Sequence, residues 1–190
     1  MGPMSAFGPG MLLVASPELV DPNFVDSVVL LLDADADGAL GVILNRPTPV
    51  PVAELLPDWD VVTAPPEVLF QGGPVGTDGA LAVGLLRAGA EPPPGFRPIG
   101  FEGRLGLVDL DADVEAFEEV LADLRIFAGY AGWGAGQLDG EIEVDSWYVV
   151  PAEVSDVFAE EVLGLQRTVL RRQPGDLALH STRPVDPGLN

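Results

Sequence analysis

The chain contains no cysteine and no lysine, and its single histidine is His180. Each absence excludes chemistry. Without cysteine there is no thiol nucleophile, no disulfide and no thiolate metal ligand. Without lysine there is no Schiff base and no phosphate-loop lysine. One histidine cannot build a zinc site that needs several His or Cys ligands. On paper it could join a Ser-His-Asp triad, but no Gly-x-Ser-x-Gly elbow is present. Ser16 is followed by proline and Ser146 sits beside an apparent strand, so His180 reads as a surface or packed residue near the tail. Hydrophobic runs are short as well. Met11–Ala15 is too short for a signal or membrane segment, and Met1–Gly10 carries no basic residue.

What is present suits one globular domain. The chain has 190 residues, 47% of them apolar, and the expected unit is a single domain over 1–190 with a loose extension at 1–9. With 23 Gly and 19 Pro it is rich in turns. Thirty acids face nine arginines, a formal charge of −21. That charge disfavours nucleic acid, whose non-specific binding relies on cations at phosphates. It disfavours anionic membrane surfaces for the same reason. The absence of cysteine fits a reducing cytoplasm.

Runs and breakers predict the elements. Met11–Ala15 reads as a strand. Val28–Leu32 and Leu40–Leu44, joined by the turn-rich Asp33–Gly38, read as a hairpin. Neither run alternates, so both faces of this sheet should be covered. Pro47, Pro49 and Pro51 mark a stiff exit, with a helical turn at Glu54–Leu56. Val68–Phe70, Ala80–Val83 and Arg104–Leu110 read as strands, with Glu91–Phe96 an exposed loop. Val114, Phe117, Val120, Leu121 and Leu124 recur at helical spacing after a capping Asp111, which predicts an amphipathic helix. A strand starts at Ile126–Ala128 and runs into the glycines of Gly129–Gly136. Another covers Ser146–Val150, and a last helix is expected over Glu160–Arg172. Strands and helices interleave irregularly, which gives an α+β class with a mixed sheet.

Few motifs carry chemistry. Asp33, Asp35, Asp37 and Gly38 imitate the start of a calcium loop, but its twelfth position is Leu44 instead of glutamate, so a turn is the better account. No cofactor or metal is expected; an all-carboxylate magnesium site would need no histidine, but no spacing of the acids points to one. Gly129–Gly136 frames Tyr130 and Trp133 with four glycines. It fits a tight strand-to-helix turn with Trp133 packed over it, or a backbone cradle for an anion. Gln137, Glu141, Asp145 and Trp147 continue the segment and could shape a small pocket.

Four stretches together carry a family resemblance. They are Leu12–Pro17 with Asp21-Pro22-Asn23-Phe24, then Gly38–Pro47 including Asn45-Arg46, then Gly72-Gly73-Pro74-Val75, and Gly129–Trp133 with Gly136-Gln137-Leu138 and Glu141. In order and spacing the chain resembles the YqgE/AlgH family, also called UPF0301, from about Gly10 to the end. The resemblance implies a compact α+β domain with a branched sheet including a small barrel, flanked by helices, in a bacterial cytoplasmic protein. It carries a transcriptional-regulator label that arose through alginate production, but no established activity and no catalytic residues. Direct DNA binding conflicts with the charge and with the lack of a helix-turn-helix pattern.

Three functional expectations follow. The first is a non-enzymatic binding or regulatory module for a small ligand or a protein, using Asn45, Arg46, Gly72, Gly73, Tyr130, Trp133, Gln137 and Glu141. Arg46 would offer a fork to an anion and Trp133 a stacking face, in one open groove. The second is an enzyme with Glu141 or Asp145 as acid or base and the Gly129–Gly136 backbone as an anion hole. In the third, these residues are purely architectural.

Overall fold

In a computed structural model, residues 7–182 are described. The ten strands are β1 Met11–Ala15, β2 Val28–Asp35, β3 Gly38–Ile43, β4 Pro47–Pro51, β5 Val68–Gln71, β6 Val75–Leu86, β7 Phe96–Gly100, β8 Leu105–Val108, β9 Leu121–Gly134 and β10 Trp147–Pro151. Five short α-helices accompany them: α1 Val52–Leu55, α2 Glu115–Glu118, α3 Gln137–Glu143, α4 Val154–Val157 and α5 Leu165–Arg171. Of the expected N-terminal extension, residues 1–6 lie outside the described ones, and Phe7 packs beside the core.

The sheet order is β10-β1-β2-β3-β9-β6-β8-β7, with β4 and β5 branching off. The pairings are antiparallel except β5 with β9. β9 is the spine. Its Gly38-facing end pairs with β3, its long body with β6, and Phe127–Ala128 with β5. The chain is thus α+β, with a branched sheet curled into a half-barrel. The barrel implied by the family resemblance is open, since β7 and β10 each have one paired neighbour.

The non-alternating runs do lie in a sheet covered on both faces. Leu12 and Val14 enter one core cluster while Leu13 and Ala15 enter another; Leu30 and Leu31 divide in the same way. The first cluster is covered by α5 through Leu165, Val169 and Leu170. The second is covered by α3 through Leu138, with Trp133 and Trp147. Each fully buried Leu or Val contributes about 1.5–3 kcal/mol. A third cluster joins Trp59 to Phe117, Leu121 and Leu124.

Several elements differ from expectation, each for a local reason. The hairpin turn is shorter, because β2 continues to Asp35 and β3 begins at Gly38. The expected helix at Val114–Leu124 is only α2; Leu121 and Leu124 belong to β9. The register with β6 jumps from Asp123 to Leu121, a bulge at Ala122. The bulge puts two leucines three apart on one buried face, which imitates helical spacing. The expected Glu160–Arg172 helix shortens to α5, entered through Gly164. Gly129–Gly134 is strand, so Gly129–Gly136 is not a continuous loop; Gly136, with φ 73°, makes the turn into α3. Strand β7 was not expected, because Pro98 interrupts it, as proline does at sheet edges.

Two arginines lock the helical side. Arg125 is fully buried. Its guanidinium donates to the carbonyls of Pro65, Ala159 and Val157 at 2.6, 2.8 and 3.3 Å. It lies 4.3 Å from the centre of the Phe70 ring, a cation–π contact. Burial lowers its pKa to about 10, against the opposing field of Asp123. Arg172 forks onto both oxygens of Asp156, with 2.7 Å on the Nη1 arm, and holds α5 to α4. The hydrogen bond to Asp156 raises the Arg172 pKa.

Candidate functional site

Of the residues singled out from sequence, Trp133, Gln137 and Glu141 gather at a pair of indoles. β9 presents Trp133 and β10 presents Trp147; both are buried. An indole N–H is donor only and needs an acceptor when buried. Glu141, on α3, supplies it twice. Its Oε2 accepts from Trp133 Nε1 and from Trp147 Nε1, each at 2.9 Å. Its Oε1 accepts from Gln137 Nε2 at 3.1 Å, and Gln137 Oε1 accepts from the Gly134 N–H at 3.0 Å. One carboxylate thereby ties α3 to two strands.

Phe24 closes the cluster from the loop between β1 and β2. Its ring stacks on Trp133 at 6.0 Å and meets Trp147 edge-on at 5.7 Å. The two indoles are themselves edge-to-face at 6.0 Å. Such pairs add about 0.5–1.5 kcal/mol each beyond burial.

Asn45 and Arg46 hold that loop. Asn45 Oδ1 accepts the Val28 N–H at 3.0 Å and Asn45 Nδ2 donates to the Asp26 carbonyl at 2.9 Å. They bracket Asp26, whose φ of 59° is left-handed. Arg46 donates to the carbonyls of Asn23 and Val25 at 2.5 and 3.0 Å. Partial burial lowers the Arg46 pKa, while Asp26 and Asp21 act to raise it. The guanidinium fork therefore grips the loop.

The glycines serve close backbone approach. A Cβ on Gly72 would lie 2.3 Å from the Gly129 carbonyl oxygen, and one on Gly73 2.2 Å from the Tyr130 carbonyl group. In this crossing the Gly72 N–H donates to Ala128 O at 2.8 Å and the Gly72 carbonyl accepts from Ile43 at 2.9 Å. Gly72 and Gly73 are buried, so they do not line an open groove. Tyr130 packs against the first core cluster and Trp133 within the second, so the sheet separates them. Arg46 and Trp133 meet the same loop, one through its carbonyls and the other through Phe24, but they do not form the single open groove expected from sequence.

Asp145 is an exposed turn residue with φ 59°. His180 stacks on Tyr148 at 5.1 Å, with Nε2 3.4 Å from the tyrosine hydroxyl. Among the described residues no group of three His, Cys, Asp or Glu is placed to hold a metal ion. No described helix is long and apolar enough to cross a membrane. Trp133 borders a cavity of about 240 Å³ lined also by Asp33, Asp35 and Asp37.

Trp147, read from sequence as part of the same pocket-shaping segment, and Phe24, from the first family-like stretch, complete the cluster although neither is among the eight residues of the expected surface. The available signal was compositional: three tryptophans in the chain, two of them flanking Glu141 and Glu143 within fifteen residues of sequence, Trp133 to Trp147.

Comparison with known proteins places this arrangement in a family. An AlgH-like family model, DUF179, matches residues 12–178. A UPF0301 protein of Streptomyces coelicolor is 53% identical over 184 residues, covering 95% of this chain and 94% of its own. A Mycobacterium tuberculosis UPF0301 protein is 46% identical over 179 residues, covering 93% and 88%. Among solved structures, protein DIP2367 of Corynebacterium diphtheriae superposes with a TM-score of 0.87 at 35% identity, covering 93% of each chain. The AlgH protein of Pseudomonas aeruginosa gives 0.67 at 27% identity, covering 92% of this chain and 93% of its own. Fold, span and sequence agree, and the chain belongs to the AlgH-like, or UPF0301, family.

Proposed function

We propose that this protein is a non-enzymatic, cytoplasmic binding module that presents the indole end as a rigid platform to a partner protein. One observation carries the reading. Two of the groups that would act as acid, base or anion fork have intramolecular partners, Glu141 with two indoles and Gln137, Arg46 with two carbonyls, while Asp145, the other candidate acid or base, is an exposed turn residue outside the indole cluster. A general base must reach a substrate proton, and a fork must reach an anion. Glu141 and Arg46 instead stiffen the elements around them.

Those elements carry exposed apolar side chains. Val20 and Val25, 80% and 41% exposed, belong to the loop that Phe24 anchors. Val144, 69% exposed, follows α3. The neighbouring carboxylates and the charge of −21 favour a partner with cationic groups and disfavour nucleic acid. Rigid presentation lowers the ordering cost of association.

The test is a double substitution, Val20→Asp with Val144→Asp. The intact chain should retain a basic partner from its own host's extract in a salt-sensitive manner. The double variant should melt at the same temperature and lose that partner. A metabolite turnover abolished by Glu141→Gln in a folded variant would overturn the reading.

A further inference from the structure

The half-barrel leaves a seam. β7 pairs with β8 on one side, and its other edge faces the residues leading into β1. There Gly10 donates its N–H to the Leu31 carbonyl at 2.8 Å, which fixes it against β2. A Cβ on Gly10, whose φ is +84°, would lie 3.2 Å from the Ile99 carbonyl oxygen. One on Gly100 would lie 3.5 Å from Gly10 Cα. The two glycines bring the strands together at this neck.

Beside the neck lies a cavity of about 320 Å³, lined by Asp33 of β2, Arg97 of β7, and the apolar Pro9, Leu32 and Ile99 among others. The depression is open to solvent, and Asp33 and Arg97 are both exposed. Its polar chemistry is one guanidinium from one strand and one carboxylate from another. Neither side chain makes a hydrogen bond or an ion pair among the described residues. Around the indoles and the Asp21–Ser27 loop, by contrast, Asn45, Arg46, Gln137 and Glu141 are all engaged.

Charge narrows the occupant. A simple anion at Arg97 would meet the field of a chain carrying −21. A simple cation at Asp33 would meet Arg97. A ligand with both charges satisfies both walls and remains neutral overall. A carboxylate suits the guanidinium fork, which can hold both oxygens. An ammonium suits Asp33, and an aliphatic side chain suits Pro9 and Ile99. Strand addition from a peptide fits less well, because Pro98 removes a backbone donor from this edge.

We propose that the seam between β7 and β2 binds a free aliphatic α-amino acid, with its carboxylate on Arg97 and its ammonium on Asp33. Asp33 also lines the acidic cavity beside Trp133, so Arg97, which only the seam uses, is the residue that tells this site from the indole platform.

The test titrates the full-length chain with L-leucine, L-isoleucine and L-valine, followed through the backbone amide resonances of Asp33, Arg97 and Ile99. At least one should give saturable shifts there below about 10 mM, the millimolar range being a weak but specific affinity. N-acetyl-leucine, which lacks the ammonium, and leucinamide, which lacks the carboxylate, should each bind at least about tenfold more weakly, a difference near 1.4 kcal/mol. Arg97→Gln and Asp33→Asn should each weaken binding by the same factor with an unchanged melting temperature. No saturable shift from any of the three amino acids, equal binding of N-acetyl-leucine, or full affinity in folded Arg97→Gln would overturn the proposal.

Discussion

The two ends of the sheet treat their polar groups in opposite ways. At the indole end, Glu141, Gln137, Asn45 and Arg46 each have intramolecular partners. At the seam, Arg97 and Asp33 face a cavity with none among the described residues. Buried donors and acceptors must be satisfied, so a region dense in packed aromatic rings needs polar residues as internal fasteners. The residues that stand out in a sequence can therefore be those that hold the fold. Residues free to meet a ligand need no motif.

Substitutions can break this contrast, and backbone approach gives the largest effect. Gly73→Ala should cost more than about 3 kcal/mol, since its Cβ would meet Tyr130 backbone at 2.2 Å. Gly100→Ala at the seam meets Gly10 only at 3.5 Å and should stay within about 1 kcal/mol. Chemical denaturation of the two variants side by side measures the difference. Equal losses would remove the contrast.

Next comes Glu141→Ala. It orphans two indole N–H groups and should cost about 2–3 kcal/mol, while Asp33→Asn should change stability by less than about 0.5 kcal/mol. Thermal unfolding resolves the two, because 1 kcal/mol shifts the midpoint by about 2–4 °C at this chain length. Arg46→Ala should lose about 1–2 kcal/mol, with no rescue by Arg46→Lys, since an ammonium cannot fork onto the Asn23 and Val25 carbonyls. Full recovery in the lysine variant would show that charge alone matters there.

The smallest effect is a control outside both regions. Burial raises the Asp123 pKa above its ordinary value of 3.8, partly opposed by Arg125. The folded state then prefers the protonated acid. Its stabilising contribution is complete below the unfolded pKa and is lost as pH rises through the higher folded pKa. Asp123→Asn should therefore be more stable than the parent at neutral pH, with the gain fading as pH falls towards 3.8. A gain that grows on acidification would reverse the sign.

Much of the sheet was legible before the structure. Met11–Ala15 and the Val28–Leu32 and Leu40–Leu44 runs are short, mainly valine, isoleucine and leucine stretches between turn residues, and they form β1, β2 and most of β3. Where spacing misled, a backbone irregularity was the cause: the Ala122 bulge gave Leu121 and Leu124 a helical period. Pro98 concealed an edge strand because its residue type argues against one. The residues around the loop Asp21–Ser27 were legible as a set, but their roles were not. Which carbonyls Arg46 grips and which N–H groups Glu141 accepts depend on β3, β9, β10 and α3 meeting in space. Local sequence carries no record of that meeting.

Glu141 acts as the internal acceptor for two indoles. The chain has three tryptophans, and the third, Trp59, donates instead to the Leu110 carbonyl at 3.1 Å. Hydrogen exchange of the three indole N–H protons, in the parent and in Glu141→Ala, tests it directly. Trp133 and Trp147 should lose protection together in the variant while Trp59 keeps its own. Unchanged protection at Trp133 and Trp147 in a folded variant would contradict it.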